Sequence, residues 1–222
     1  MSNHEYSNIF TEKEPEQLYV AFIDILGFSS FVVREFNNVT EIYNDVMGDN
    51  EVIKGINAGV RFRVYSDAFL LTSKKLGDLV GVVQGIYMRT LGRDWLVRGG
   101  IGYGKHIEAS DNENLFVVSE AMVYAVEKEK TVKYPCVAFH KSVSIPKDWW
   151  DSNVHPLDRG IACFEGISMI LPFNRYWCQS AMTRVAMMTP ENENHKEKYD
   201  WFLRLYDRTI SGDPLVPDET AP

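Results

Sequence analysis

Two aspartates carry the chemical interest of this sequence. Asp24 sits in YVAFIDILGFSSF (19–31), an apolar run broken by one acid and soon followed by Gly27; Asp67 sits in VYSDAF, 43 residues further on. An ionised carboxylate in a strand covered on both faces costs free energy unless it is paired or binds a cation. An acid at a half-exposed strand end that caps the next helix accounts for Asp24 equally well on its own. A second acid brought close in space tips the reading toward a site. Two converging carboxylates are hard oxygen donors that suit magnesium or manganese. Gly27 and the helix start behind it offer backbone N–H groups suited to phosphate oxygens.

The elements that must position these residues are legible from periodicity. LYVAFIDI (18–25) is a near-continuous apolar run, which predicts a central strand. After Gly27, Ser29 and Ser30 can cap a helix whose stripe is Val32, Phe36, Val39, Tyr43 and Val46, with Asn37-Asn38 as a point where it can break in two. VRFRVYSD (60–67) alternates, with Val60, Phe62 and Val64 on one side and Arg61, Arg63, Tyr65 and Asp67 on the other. AFLLTS follows as a second strand after a tight turn. Leu76, Leu79, Val80, Val83, Ile86, Tyr87 and Leu91 mark a helix, and WLVRGGIGYGKHI (95–107) a further strand. The order β-α-β-β-α-β predicts an α/β (α+β) ferredoxin-like sheet with two helices on one face. In that topology the first strand lies beside the hairpin, so Asp24 and Asp67 converge. A third helix is expected over 119–131, then a strand in YPCVAFH and a long amphipathic helix in TPENENHKEKYDWFLRLYDRTI, as C-terminal additions.

At 222 residues and 45% hydrophobic, the chain can bury one sizeable core. A net charge of −8 argues against coating nucleic acid or an anionic membrane. No apolar run approaches the roughly 20 residues that span a bilayer, and residues 1–16 lack a signal-like apolar stretch, so the expectation is a cytoplasmic chain. Loose ends are expected at 1–16 and 211–222, flanking one domain over 17–210. Cys136, Cys163 and Cys178 lack the close pairing of a zinc or redox motif and are expected to be buried free thiols. The five histidines are scattered, and Met182, Met187 and Met188 are expected to be core or interface filler.

Together, FIDILGF, YSDAF and VRGGIGYG, in this order and spacing, resemble the signature segments of the class III nucleotidyl cyclases, over about residues 18–140. The resemblance implies that Asp24 and Asp67 bind two magnesium or manganese ions per site. It also implies that the main chain at Ile25 and the residues Gly27, Phe28 and Ser29 meet metal and the phosphates of a nucleoside triphosphate. Purine cyclases of that family carry an asparagine and, four residues on, an arginine in the helix after the glycine strand. Val123 and Glu127 stand there instead. EAMVYAVEKEKTVKYP is similar to the same helix in the bacterial pyrimidine cyclases of antiphage defence. That likeness implies a homodimer with sites at its interface, and cyclic UMP or cyclic CMP as a messenger linked to a separate effector through the product only. Arg98 is the candidate fixed cation at the sheet's working end, with a strand-end arginine paired to a surface acid as the competing reading, and Lys128, Lys130 and Lys133 are candidates to replace the missing arginine.

Arg63 stands four residues before Asp67, where adenylate cyclases of the family carry a lysine and guanylate cyclases a glutamate that read the base. Its several donors favour the carbonyl-rich edge of uracil over cytosine, hence UTP over CTP. Pairing of Arg63 with a surface acid is the competing reading. An adenylate or guanylate cyclase, an inactive cyclase-like regulatory module, and a diguanylate cyclase or polymerase are the competing classes. A diguanylate cyclase expects an acidic turn directly after paired glycines, whereas Gly99-Gly100 lead into IGYG.

Overall fold

The computed structural model describes residues 10, 13–110, 114–190 and 193–218, and within α1 (Phe28–Met47) it leaves out the side chains of residues 29–31, 34, 35, 37 and 38. The expected loose N-terminus falls mostly outside the described residues, and the expected Ser29–Ser30 cap falls on side chains outside them. β1 (Glu16–Ile25) is central, hydrogen-bonded on both sides. Its side chains alternate as a pleated strand requires: Ala21, Ile23 and Ile25 enter the main core, while Val20 and Phe22 meet a second, smaller cluster on the opposite face.

Gly27 turns the chain into α1 at φ 80°, a left-handed conformation that a side chain would strain. The break considered at Asn37-Asn38 does not occur: α1 is one helix of 20 residues. Val39, Ile42 and Val46 are all buried along it, and that continuous apolar contact outweighs the low helix propensity of asparagine. α2 (Asn50–Asn57) was not anticipated. Asp49 caps it, accepting from the N–H groups of Glu51 and Val52, and also takes the Nε–H of Arg89 at 2.9 Å.

β2 (Arg61–Tyr65), β3 (Ala68–Ser73), α3 (Leu76–Leu91) and β4 (Val97–Ser110) complete the expected unit. The strands run β2-β3-β1-β4 with every neighbour antiparallel, which is the ferredoxin-like arrangement. β5 (Leu115–Ser119) folds back on β4, and α4 (Glu120–Thr131) follows it directly. β6 (Val137–Phe139) joins β4 in parallel; α5 (Pro156–Arg159) leads to the hairpin of β7 (Ile161–Phe164) and β8 (Ile167–Ile170), which extends the sheet to eight strands. α6 (Cys178–Met187) and α7 (Glu193–Ile210) close the fold.

α1, α2 and α3 cover one face, while α4 lies on the other, so that face is only partly open. Gly100 and Gly102 make this contact possible: a Cβ on them would stand 2.1 Å from the Ala125 carbonyl and 2.3 Å from that of Ala121. α7 is anchored by Trp201, stacked on Tyr134 with centroids 4.9 Å apart, and by Phe202 against Phe173. Beyond it, the segment expected as a loose tail lays Leu215 into the core, and its carbonyl accepts from the N–H of Cys163 at 2.7 Å. All three cysteines are free thiols, but only Cys136 is buried as expected; Cys163 and Cys178 are half-buried. Among the described residues no helix is long and apolar enough to cross a membrane.

Candidate active site

Asp24 is the penultimate residue of β1 and points to the face that carries α4. Strand register places it opposite Ala68 of β3 on one side and Arg98 of β4 on the other. Asp67 precedes Ala68 in the β2–β3 turn, so pairing brings it to the end of β1. Two bonds pin that turn. The N–H of Ile25 donates to the main-chain carbonyl of Asp67 at 3.0 Å, and the Tyr43 hydroxyl of α1 donates to the carbonyl of Ser66, a serine held at φ 52°. Burial, then the charge of Asp67, pushes the Tyr43 hydroxyl up to about 12, which keeps it a donor.

The Asp24 carboxyl is pushed up to about 6. Burial is the main cause, and the negative charges of Asp67 and Glu129 add to it; Arg98 and the Ile25 main chain act the other way without winning. Arg98 explains its weak effect. Its guanidinium is ion-paired with Glu129 of α4 and approaches Asp24 only to 3.8 Å, and its Nε is buried without a hydrogen-bond partner among the described residues. Arg98 is therefore shared between Glu129 and Asp24, while the charge of Asp67 acts on Asp24.

A small cavity of about 90 Å³ opens at the same end of the sheet, lined by Leu26, Gly27, Leu96, Asp94, Met188, His195, Lys198 and Tyr199. Burial, and next the charge of Arg98, holds the Lys198 ammonium below the usual lysine range.

Of the residues singled out in the sequence, Asp24, Ile25, Asp67 and Arg98 come together here, with Gly27 at the adjoining cavity. Phe28 is buried, its ring edge-on to Trp95 at 5.8 Å, so it supports the turn from beneath. The Ser29 side chain lies outside the described residues. Arg63 shares the face of Asp24 but is engaged elsewhere: it grips Glu108 with two N–H groups at 2.9 and 2.8 Å, and Arg61 and His106 hold the same carboxylate. Lys130 and Lys133 are exposed, and Lys128 is half-buried near Cys136 and His140. Val123 is 62% exposed, and Glu127 lies 3.8 Å from His140. Glu129 and Lys198 were missed: both sit in lysine- and glutamate-rich stretches that read as solvated helix faces. Lys198 did carry a signal, because it stands three and four residues before Trp201 and Phe202, on the inward stripe of α7.

No protein-family model matches the sequence, and no curated protein matches it. Among solved structures it is similar to the adenylyl cyclase CyaB from P. aeruginosa, at 16% identity over 71% of this chain and 93% of that one, with a TM-score of 0.47. A second is the catalytic core of a rhodopsin-guanylyl cyclase with converted specificity in complex with ATPαS, at 18% identity over 59% of this chain and 80% of that one, TM-score 0.46. A third is the guanylate cyclase domain of RhGC from Catenaria anguillulae in complex with GTP, at 17% identity over 59% and 81%, TM-score 0.46.

Proposed function

We propose that this chain is a nucleotidyl cyclase that converts UTP into 3′,5′-cyclic UMP and pyrophosphate. The observation that carries this reading is the convergence of Asp24 and Asp67 at the end of β1, with the Asp24 carboxyl pushed up to about 6 by burial and its acidic neighbours. Acids held together against their own repulsion fit a divalent cation. Asp24, Asp67 and the main-chain carbonyl of Ile25 would hold magnesium or manganese. Among the described residues no group of three or more His, Cys, Asp or Glu forms a metal cluster, so phosphate and water would complete the shell, as magnesium commonly allows.

In the reaction the ribose 3′-oxygen bonds to the α-phosphorus while the bond from that phosphorus to pyrophosphate breaks. When bound, the metal supplies charge neutralisation on the phosphates and a more acidic 3′-hydroxyl. The chain's own part is positioning. Gly27 lets the main chain approach the phosphates without a side chain between them, and Arg98, steered by Glu129, presents a fixed positive charge at the same end of the sheet.

The test is to incubate the purified chain with manganese and each of the four nucleoside triphosphates and identify any cyclic product by mass; cyclic UMP is expected. A cyclase for ATP or GTP is the second reading, favoured by the engagement of Arg63 with Glu108, which leaves fewer of its donors for a base. Product from a purine alone selects it. Absence of product from every triphosphate rejects both.

The pyrimidine branch resembled in EAMVYAVEKEKTVKYP supports a homodimer and a messenger role in antiphage defence. Leu115, Val118 and Val123, exposed on β5 and α4, are consistent with a covered surface there. Sedimentation under assay conditions checks this, and an active enzyme that stays monomeric rejects it.

A further inference from the structure

α4 carries no arginine where purine cyclases of the resembled family have one. We propose that the same chain supplies that cation from outside the ferredoxin-like unit: Lys198 of α7, together with Arg98, forms the seat for the substrate's phosphates. This rests on the cyclase reading.

Three observations carry it. First, Lys198 lines the cavity beside Gly27, at the end of the sheet that carries Asp24. Second, its position is enforced. Trp201, Phe202 and Leu205 are fully or almost fully buried, and Lys198 continues their stripe toward the N-terminus of α7, so the fold holds a lysine at an inward-facing position. Third, its charge has no acid partner among the described residues. Among the described residues no carboxylate lies within 4 Å of Lys198, while Asp94, the acid lining the same cavity, is ion-paired with Arg184 and Glu129 is engaged with Arg98.

Two cations kept close together and partly out of water raise each other's energy. The burial of Lys198 and its repulsion by Arg98 are that cost at work. Arg98 already has Glu129, so an anion beside the two cations relieves Lys198 above all, and the anion nearest by chemistry is the polyphosphate whose metal would sit on Asp24, 3.8 Å from the Arg98 guanidinium. Lysine suits the task as a point charge on a flexible stem. α7 is thus part of the working site, and residues 193–210 act as more than a C-terminal addition to the sheet.

The experiment titrates inorganic tripolyphosphate with magnesium into the full chain by calorimetry. It compares the unaltered protein with Lys198→Ala, Lys198→Met, which keeps the stem, and Lys198→Arg, and records the melting temperature of each. The expected result is a loss of affinity of roughly 10-fold or more for the Ala and Met forms, with Arg within a few-fold of the original. Tripolyphosphate binding unchanged in a folded Ala or Met form overturns the proposal and leaves the cyclase reading standing. An unaltered chain that binds no tripolyphosphate yet forms a cyclic nucleotide has the same consequence. A chain that neither binds tripolyphosphate nor forms product from any triphosphate fails the cyclase reading itself. Because both groups act at one chain's own site, mixing Asp24→Asn chains with Lys198→Ala chains restores no turnover; recovery would mean that Lys198 serves the partner's site.

Discussion

Two charged clusters occupy the same face of the sheet, and they are built on opposite principles. Around Glu108, two arginines and a histidine converge on one carboxylate. Burial alone would raise that acid, but the hydrogen bond from His106 and the charges of Arg61 and Arg63 outweigh it and hold Glu108 below its usual range. Its one unsatisfied atom among the described residues is His106 Nδ1. Around Asp24 the balance is reversed: Asp24 and Glu129 share one arginine, Asp67 adds its charge, Asp24 is raised, and Lys198 is lowered. In the first cluster the charged groups pair with one another, and it reads as structure. In the second, Asp24 and Lys198 stay shifted against their charged forms, and that supports the proposed site.

The two clusters should differ most in turnover. Asp24→Asn and Asp67→Asn are each expected to reduce cyclic-nucleotide formation by about a hundred-fold or more while the fold persists, because loss of one carboxylate misplaces the reacting groups. Product formation with magnesium and with manganese checks it; near-normal activity in either variant removes the metal assignment.

At the other cluster the expected damage is to stability. Glu108→Ala leaves Arg61, Arg63 and buried His106 facing one another without their acid, at a cost of about 1–3 kcal/mol in denaturant unfolding. Arg63→Ala then separates the two readings of that residue. If the arginine is a strut for Glu108, stability falls and the order of preference among the four triphosphates is unchanged. If it reads the base, the preference for UTP is lost with the metal site intact. A Glu108→Ala protein as stable as the original would erase the contrast between the clusters.

The ferredoxin-like unit was legible because each of its elements has a strong period: the apolar run of β1, the alternation of β2, the stripes of α1 and α3. Asp24 and Asp67 were legible for a related reason, since topology alone brings a strand end beside a hairpin turn. What escaped was set by tertiary partners. α2 is a short helix of eight residues whose signal was its Asp49 cap, easily taken for part of a turn. Glu129 and Lys198 are charged residues in charged stretches, and only packing tells which member of EKEK or HKEK faces inward. The engagement of Arg63 was likewise hidden, because Glu108 lies 45 residues away and reaches it only through the course of β4.

The smallest expected effect is the most direct comparison of the two clusters, because it asks for opposite signs from two acid-removing substitutions. Asp24 has a folded-state value of about 6 against an ordinary 3.8, so the folded protein holds this proton more tightly than the unfolded chain does. Above about pH 6 its charge opposes folding, and as pH falls from about 6 toward 4 its protonation adds stability. Asp24→Asn removes that dependence. In metal-free buffer at pH 7 the variant should therefore melt slightly higher than the original, by roughly 1–3 °C, with the difference shrinking as pH falls toward 4. Glu108→Ala should melt lower throughout that range. Adding manganese should raise the melting temperature of the original chain and leave Asp24→Asn nearly unmoved. A melting temperature for Asp24→Asn below the original in metal-free buffer at pH 7 would mean that the Arg98 contact outweighs burial and the neighbouring acids. Asp24 would then be a satisfied strand-end carboxylate, and both clusters would belong to the architecture.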